Sequence, residues 1–503
     1  MNIQSEIKKL ACYALDKGLI EEDEFYYSIN LLLDVLNIDE FVDDGISYHD
    51  VDLETVLANL LSYAHENGIL KNDCVLDRDL LDTKIMNCFT PRPAQVEHHF
   101  SELEKISARK ATDYFYHLSL DSDYIRSYRI CKDIKWKTKT VYGDLDITIN
   151  LSKPEKDPRA IALAKQAKPK SYPKCLLCKE NMGYRGTLSH PARQTIRYIP
   201  LDLSGESYFM QYSPYSYYPE HCIVFNKEHV PMAVNRKTFE HLVSFVKKFP
   251  HYMLGSNADL PIVGGSILSH DHYQGGSYIF PMFKAKDVFS FPLKDYPTVE
   301  VSYLYWPLSV IRLRSKDEKA IIDLSEHILS SWRGYDDESL MILSKTDGIE
   351  HNTITPILHF EDAKFVMDLA LRNNITTKEH PLGLYHPHEE YWNIKKENIG
   401  LIEVMGTAIL PSRLKKEISA LKEHILHKED VAIDPLTEKH AQWLSSFQKE
   451  IKGLSSEEEI ESLLQEKIGL TFQKVLECSG VYKQDEEGYL GVRRFLSTLE
   501  RIE

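Results

Sequence analysis

The stretch Gly264-Gly265-Ser266-Ile267-Leu268-Ser269-His270-Asp271-His272-Tyr273-Gln274-Gly275-Gly276 sets two histidines and a glutamine at alternate positions between two glycine pairs. Side chains on a strand alternate between its faces, so a strand here predicts His270, His272 and Gln274 pointing at one spot. The glycines let backbone approach a ligand closely, and their N–H groups, Gly265 among them, suit a phosphate. A neutral imidazole attacks phosphorus well when its other ring nitrogen is held by an acceptor. The Gln274 amide can donate to a phosphoryl oxygen but cannot carry a proton at neutral pH. Two histidines in an ordinary turn are the bland alternative, and the paired glycines and the in-phase glutamine weigh against it.

A second feature lies upstream. Cys175-Leu176-Leu177-Cys178 offers half of a tetrahedral zinc site. His229, just after the apolar strand Ile223-Val224-Phe225, is a reasonable third ligand, and His270 could be the fourth. A thiol pair in a reducing cytosol can equally be redox-active or idle.

Length and composition set the frame. A chain of 503 residues exceeds what one core usually supports, and 43% hydrophobic with 27% charged residues is the balance of a soluble globular protein. No apolar run reaches the ~18–20 residues of a membrane span, and the opening residues lack a secretory pattern. Eight scattered cysteines make no disulfide framework, so a cytoplasmic setting is expected. The net charge of −16 argues against a nucleic-acid partner. That charge is uneven: residues 1–90 carry −13, while residues 91–250 carry +9 and could hold a small anion. Within this basic segment Arg126 and Arg129 stand at a spacing able to grip a diphosphate.

Helical periodicity marks both ends. Leu53, Val56, Leu57, Leu60, Leu61 and Ala64 predict one helix. Ile460, Leu463, Leu464 and Ile468 predict another behind a Ser455-x-x-Glu458 capping box. Between them, Asp146 to Leu151 alternates as a strand, and Ile399 to Leu410 reads as strand-rich.

Taken together, Tyr142 to Pro158, Cys175 to Arg197, Gly255 to Gly276 and Gly383 to Arg413 resemble the galactose-1-phosphate uridylyltransferases, in particular their long second class from Gram-positive bacteria. That family belongs to the histidine-triad superfamily, whose hydrolases carry a third histidine where Gln274 stands. The resemblance covers nearly the whole chain. It implies an α+β fold with two histidine-triad-like antiparallel-sheet halves, about residues 110–300 and 301–411, between helical extensions at 1–109 and 412–503.

It also implies roles. His272 would be the nucleophile that becomes uridylylated, His270 its structural or metal-bound partner, and Gln274 the phosphoryl donor. Asn257 resembles the family's substrate-binding asparagine. Where the first class has a serine, this chain has Ile267, and Ser266 or Ser269 is the available substitute. Glu403, on the strand-rich stretch, is a candidate contact to the hexose, and His386-Pro387-His388 resembles the family's second pair, which is structural or binds a second metal. The implied reaction is uridylyl transfer between UDP-glucose and galactose 1-phosphate, with no organic cofactor, with zinc at most structural, and compatible with a homodimer. The rivals are another nucleotidyltransferase or phosphorylase of the superfamily, separable by isotope exchange, and a zinc-containing binding protein with no exchange at all.

Overall fold

The computed structural model describes residues 2–152, 172–187, 189–265 and 267–500. The chain divides into two compact units interleaved in sequence: Met1–Cys131, Pro154–Ser216 and Glu220–His229 form one, and Lys132–Lys153, Tyr217–Pro219 and Val230–Glu503 the other. Both combine helices with antiparallel strands, giving the α+β class.

The first unit is built on helices Ile3–Asp16, Phe25–Leu36, Leu53–Glu66, Val75–Asn87, Pro93–Ile106 and Ala108–Asp121. The predicted stripe of the third holds, with Val56, Leu57, Leu60, Leu61 and Ala64 buried, while Asp52 caps it by accepting from the Thr55 N–H. Strands Ile199–Leu203, Glu206–Tyr212 and Cys222–Asn226 pair antiparallel in that order. Alternation along Ile199–Leu203, with Ile199, Leu201 and Leu203 buried, is the period-two signature of a half-covered sheet.

In the second unit, strands His272–Gly276, Met253–Ser256, Asn352–Glu361, Lys364–Asn373, Val310–Ser315, Glu300–Leu304 and Asp287–Ser290 follow one another in space, every neighbour antiparallel. Helices Arg236–Lys248 and Glu318–Arg333 pack on the long central hairpin. Between its second strand, Lys364–Asn373, and the neighbouring Val310–Ser315, Asp368 and Arg312 face each other in register, fully buried, with guanidinium-to-carboxylate bonds of 2.6 and 2.8 Å. The remaining Arg312 donors reach the carbonyls of Met282 (3.0 Å) and Phe283 (3.2 Å).

A smaller sheet in the same unit joins Ile134–Thr140 and Gly143–Ile149 antiparallel, with Thr407–Leu410 added parallel. Its inner residues Leu145, Ile147 and Ile149 share one core with Trp306, Met405, Ile468 and Phe472. The long helix Glu457–Ser479 lies so close to this sheet that a Cβ on Gly469 would sit 2.0 Å from Thr138 Oγ1. Only glycine allows that approach. The capping box of this helix is Ser456 with Glu459, one residue later than predicted. Both serine–glutamate pairs fit the motif, and the helix begins at the second. Among the described residues, no helix is long and apolar enough to cross a membrane.

Candidate active site

His272 opens the strand His272–Gly276, and the ladder pairs Tyr273 with Ser256 and Gln274 with Gly255. His272 is 6% exposed. Its Nδ1 lies 2.8 Å from the His270 carbonyl oxygen. A carbonyl can only accept, so Nδ1 carries the proton and Nε2 is left with its lone pair. Burial pulls the His272 pKa down to about 4, which keeps the ring neutral at pH 7. The site thus presents an uncharged imidazole with a defined tautomer.

The flanking residues fix the ring in place. Tyr273 points to the opposite face of the strand, where its hydroxyl meets His241 Nδ1 at 2.9 Å on the helix Arg236–Lys248. Gly275 accepts from the Tyr218 hydroxyl at 2.9 Å. Gln274 is half-buried and returns to the His272 face by alternation. His270 departs from the expectation, because the strand begins only at His272. The approach to it is held from outside the ladder: Asp271 N–H donates to Val230 O (2.7 Å), and Leu268 O accepts from Met232 N–H (2.9 Å). His270 is a fully buried loop residue rather than the first of three side chains on one strand face.

Asn257 follows the neighbouring strand and is buried, its Oδ1 accepting the Leu401 N–H at 2.9 Å. A Cβ on Gly265 would fall 2.8 Å from Asn257 Nδ2, so Gly265 is there to let the asparagine amide approach the main chain. Glu403 lies on a short helix, Leu401–Val404, not on a strand. The Gly400–Glu403 cap and the left-handed Gly406 make a helical turn before the strand Thr407–Leu410 starts. Its two oxygens bind Lys395 Nζ (2.8 Å) and Gly400 N–H (3.0 Å), which ties Glu403 to the loop around it.

Sequence reading missed both Lys395 and Arg372. The latter is fully buried and donates to Ile399 O at 3.0 Å. Arg372 has no motif around it, and Lys395 sits within the Gly383 to Arg413 stretch with nothing to single it out. Ser269 is exposed beside His270, and Ser266 lies outside the described residues.

In the first unit, Cys175 and Cys178 bring their sulfurs to 3.5 Å, and Cys178 Sγ lies 3.1 Å from His229 Nδ1. Asn181 stabilises the turn by donating to the carbonyls of both cysteines at 2.8 Å, and its Oδ1 meets His190 Nε2 at 2.6 Å. Two thiols and an imidazole at these separations form a soft donor set that suits zinc.

Arg126 and Arg129 are not brought to any site. Arg126 pairs with Asp79, with Asp82 at 2.5 Å and with Asp123 at 3.5 Å, and Arg129 holds Asp79 through two bonds of 2.6 and 3.0 Å. This corrects the expected diphosphate grip: both guanidiniums already pair with carboxylates, Arg126 with the buried Asp82 and Asp123 and Arg129 with the half-buried Asp79. Burial raises the Asp82 carboxyl, and the charge of Arg126 opposes that shift. His386 and His388 turn to separate partners, His386 Nε2 to Asn398 Oδ1 (3.2 Å) and His388 Nε2 to the Leu384 carbonyl (3.0 Å).

With this geometry in place, comparison with known proteins is decisive. The model described as "Galactose-1-phosphate uridyl transferase, N-terminal domain" matches residues 30–231, and its C-terminal counterpart matches residues 245–445. The chain belongs to the galactose-1-phosphate uridylyltransferase family. Relatives of that name include proteins from Clostridium acetobutylicum (51% identical, 99% of this chain and 100% of the relative), Clostridium perfringens strain 13 (46%, 99% of each) and Bacillus subtilis (44%, 99% and 98%). Among solved structures, yeast Ap4A phosphorylase Apa2 is 16% identical at a TM-score of 0.30, over 59% of this chain and 85% of its own. Within the uridylyltransferase family match, the glycine-framed histidines fall in the C-terminal segment and the cysteine pair in the N-terminal one.

Proposed function

We propose that the chain is a uridylyltransferase that moves UMP between UDP-glucose and galactose 1-phosphate, through a covalent intermediate on His272. The single observation that carries this reading is the Nδ1 bond to the His270 carbonyl, which leaves Nε2 as a buried, neutral nucleophile. In the first half-reaction Nε2 forms a bond to the α-phosphorus while the bond from phosphorus to the bridging oxygen breaks, releasing glucose 1-phosphate. In the second, a phosphate oxygen of galactose 1-phosphate forms the new bond and the N–P bond breaks. Nδ1 keeps its proton throughout. Both leaving groups are stabilised anions, so no strong general acid is needed, which suits an amide at position 274.

Incubation with UDP-glucose alone, followed by peptide mass spectrometry, should find a uridylyl adduct on the peptide containing His272 and an equivalent of free glucose 1-phosphate. An adduct on another residue, or none in protein that turns over, rejects the mechanism.

Gln274→His is expected to raise the ratio of UMP release to transfer. An imidazole with an ordinary pKa near ~6.5 can take a proton from water, as an amide cannot. UMP release is measured without galactose 1-phosphate and expressed relative to the transfer rate measured with it; that ratio should rise even if both rates fall. An unchanged ratio would mean that exclusion of water, not Gln274, protects the intermediate.

We further infer that Cys175, Cys178 and His229 of the first unit hold one structural zinc ion, with His270 as the proposed fourth ligand. Bound zinc would tie the loop that carries His270, and with it the carbonyl that orients His272. Cys175→Ser should lose stoichiometric zinc by elemental analysis and melt at a lower temperature. Fully active protein without stoichiometric metal contradicts the assignment.

A further inference from the structure

The first unit contains a chamber of about 540 Å³ between the helices Phe25–Leu36 and Val75–Asn87 and the segments around Pro91 and Arg197. This is the size of a small-molecule site. Part of the lining is apolar, with Leu19, Ile20, Val35 and Phe89.

The rest is unusual in charge. Arg197 is 7% exposed, and its guanidinium donates only to carbonyls: Pro91 (2.7 Å), Ile196 (2.8 Å), Gln194 (3.0 Å) and Thr90 (3.4 Å). Buried arginines are ordinarily matched by a carboxylate, since uncompensated charge is costly to desolvate. Here the nearby charge is Arg92, also on the lining and of the same sign. Neither forms an ion pair among the described residues, although Glu24 and Asp34 also line the chamber. Burial, then Arg92, lowers the Arg197 pKa to about 10, so it remains cationic at neutral pH.

Two further features point the same way. Arg92 is the N-cap of the helix Pro93–Ile106, whose positive end opens at this wall. Gln194 Oε1 is buried without a hydrogen-bond partner and is ready to accept from a ligand hydroxyl or N–H.

We propose that this chamber is a binding site for a small organic anion, a phosphate or carboxylate on a compact, partly apolar body that also offers a hydrogen-bond donor. The acid group would bridge Arg92 and Arg197 at the helix end, and the body would lie against Phe89 and Val35. The site involves none of the residues assigned to uridylyl transfer, so it stands or falls apart from that assignment.

The test is calorimetric titration of the full-length protein with phenyl phosphate and benzoate, using phenol as the uncharged control. The anionic probes should bind and phenol should not. The stronger of the two identifies the acid group. Arg92→Glu, at an exposed position, should weaken binding at least about tenfold while leaving uridylyl transfer at its original rate. Arg197→Gln should do the same to binding, and Arg197→Lys, which keeps the charge, should restore part of it. Equal affinity for phenol, unchanged binding in Arg92→Glu, or no heat from either anion at about 10 mM would overturn the proposal.

Discussion

His272→Asn is expected to keep the fold and lose more than about a hundredfold in uridylyl transfer, a barrier increase above ~2.7 kcal/mol. The asparagine amide can still donate to the His270 carbonyl at the position where Nδ1 does so now, 2.8 Å away in the wild type, so the loop is not released. What disappears is the lone pair at Nε2, and an amide nitrogen has no comparable nucleophilicity. Steady-state turnover and the covalent adduct should vanish together, while the thermal midpoint should stay near that of the wild type. His272→Gly tests the same point from the other side: added imidazole should carry the uridylyl group as a free nucleophile and recover some turnover. If His272→Asn kept more than a hundredth of wild-type turnover, the nucleophile would have to be another group.

The second large effect concerns stability. Asp368→Ala should destabilise the second unit by about 3–5 kcal/mol, because it leaves the Arg312 guanidinium buried with carbonyls alone. The paired replacement Arg312→Met with Asp368→Leu should recover most of the loss, since it removes both charges from a site already dry. Urea midpoints followed by tryptophan fluorescence distinguish the cases, as Trp306 and Trp332 are both buried in this unit. Equal losses for the single and the paired variants would show that shape, not charge, governs this strand pair.

What the sequence disclosed follows physical range. Periodicity is local, so the helix Leu53–Glu66 and the buried face of Ile460, Leu464 and Ile468 were legible directly. The same locality explains the errors. Strand alternation extended one step too far to include His270, because the ladder of His272–Gly276 is made with Met253–Ser256, while Asp271 and Leu268 bond instead to Val230 and Met232, some forty residues earlier. Arg126 and Arg129 read as free cations because Asp79 and Asp82 are distant in sequence. Glu403 read as a strand residue because the apolar run Leu401–Val404 fits strand and helix alike, and only its bonds to Gly400 and Lys395 decide between them. The interleaving of two compact units cannot be seen in any linear pattern.

The acceptor that sets the His272 tautomer is a main-chain oxygen. Every amino acid brings the same oxygen, so no missense codon at position 270 can delete it. A side-chain orienter, such as a carboxylate, could be lost by a single base change. Here the equivalent lesion must alter the path of the chain, by insertion, deletion or a distorted loop between Gly264 and His272. Substitution at position 270 thus acts on the His272 tautomer only indirectly, through the path of the chain, and never by removing the acceptor itself.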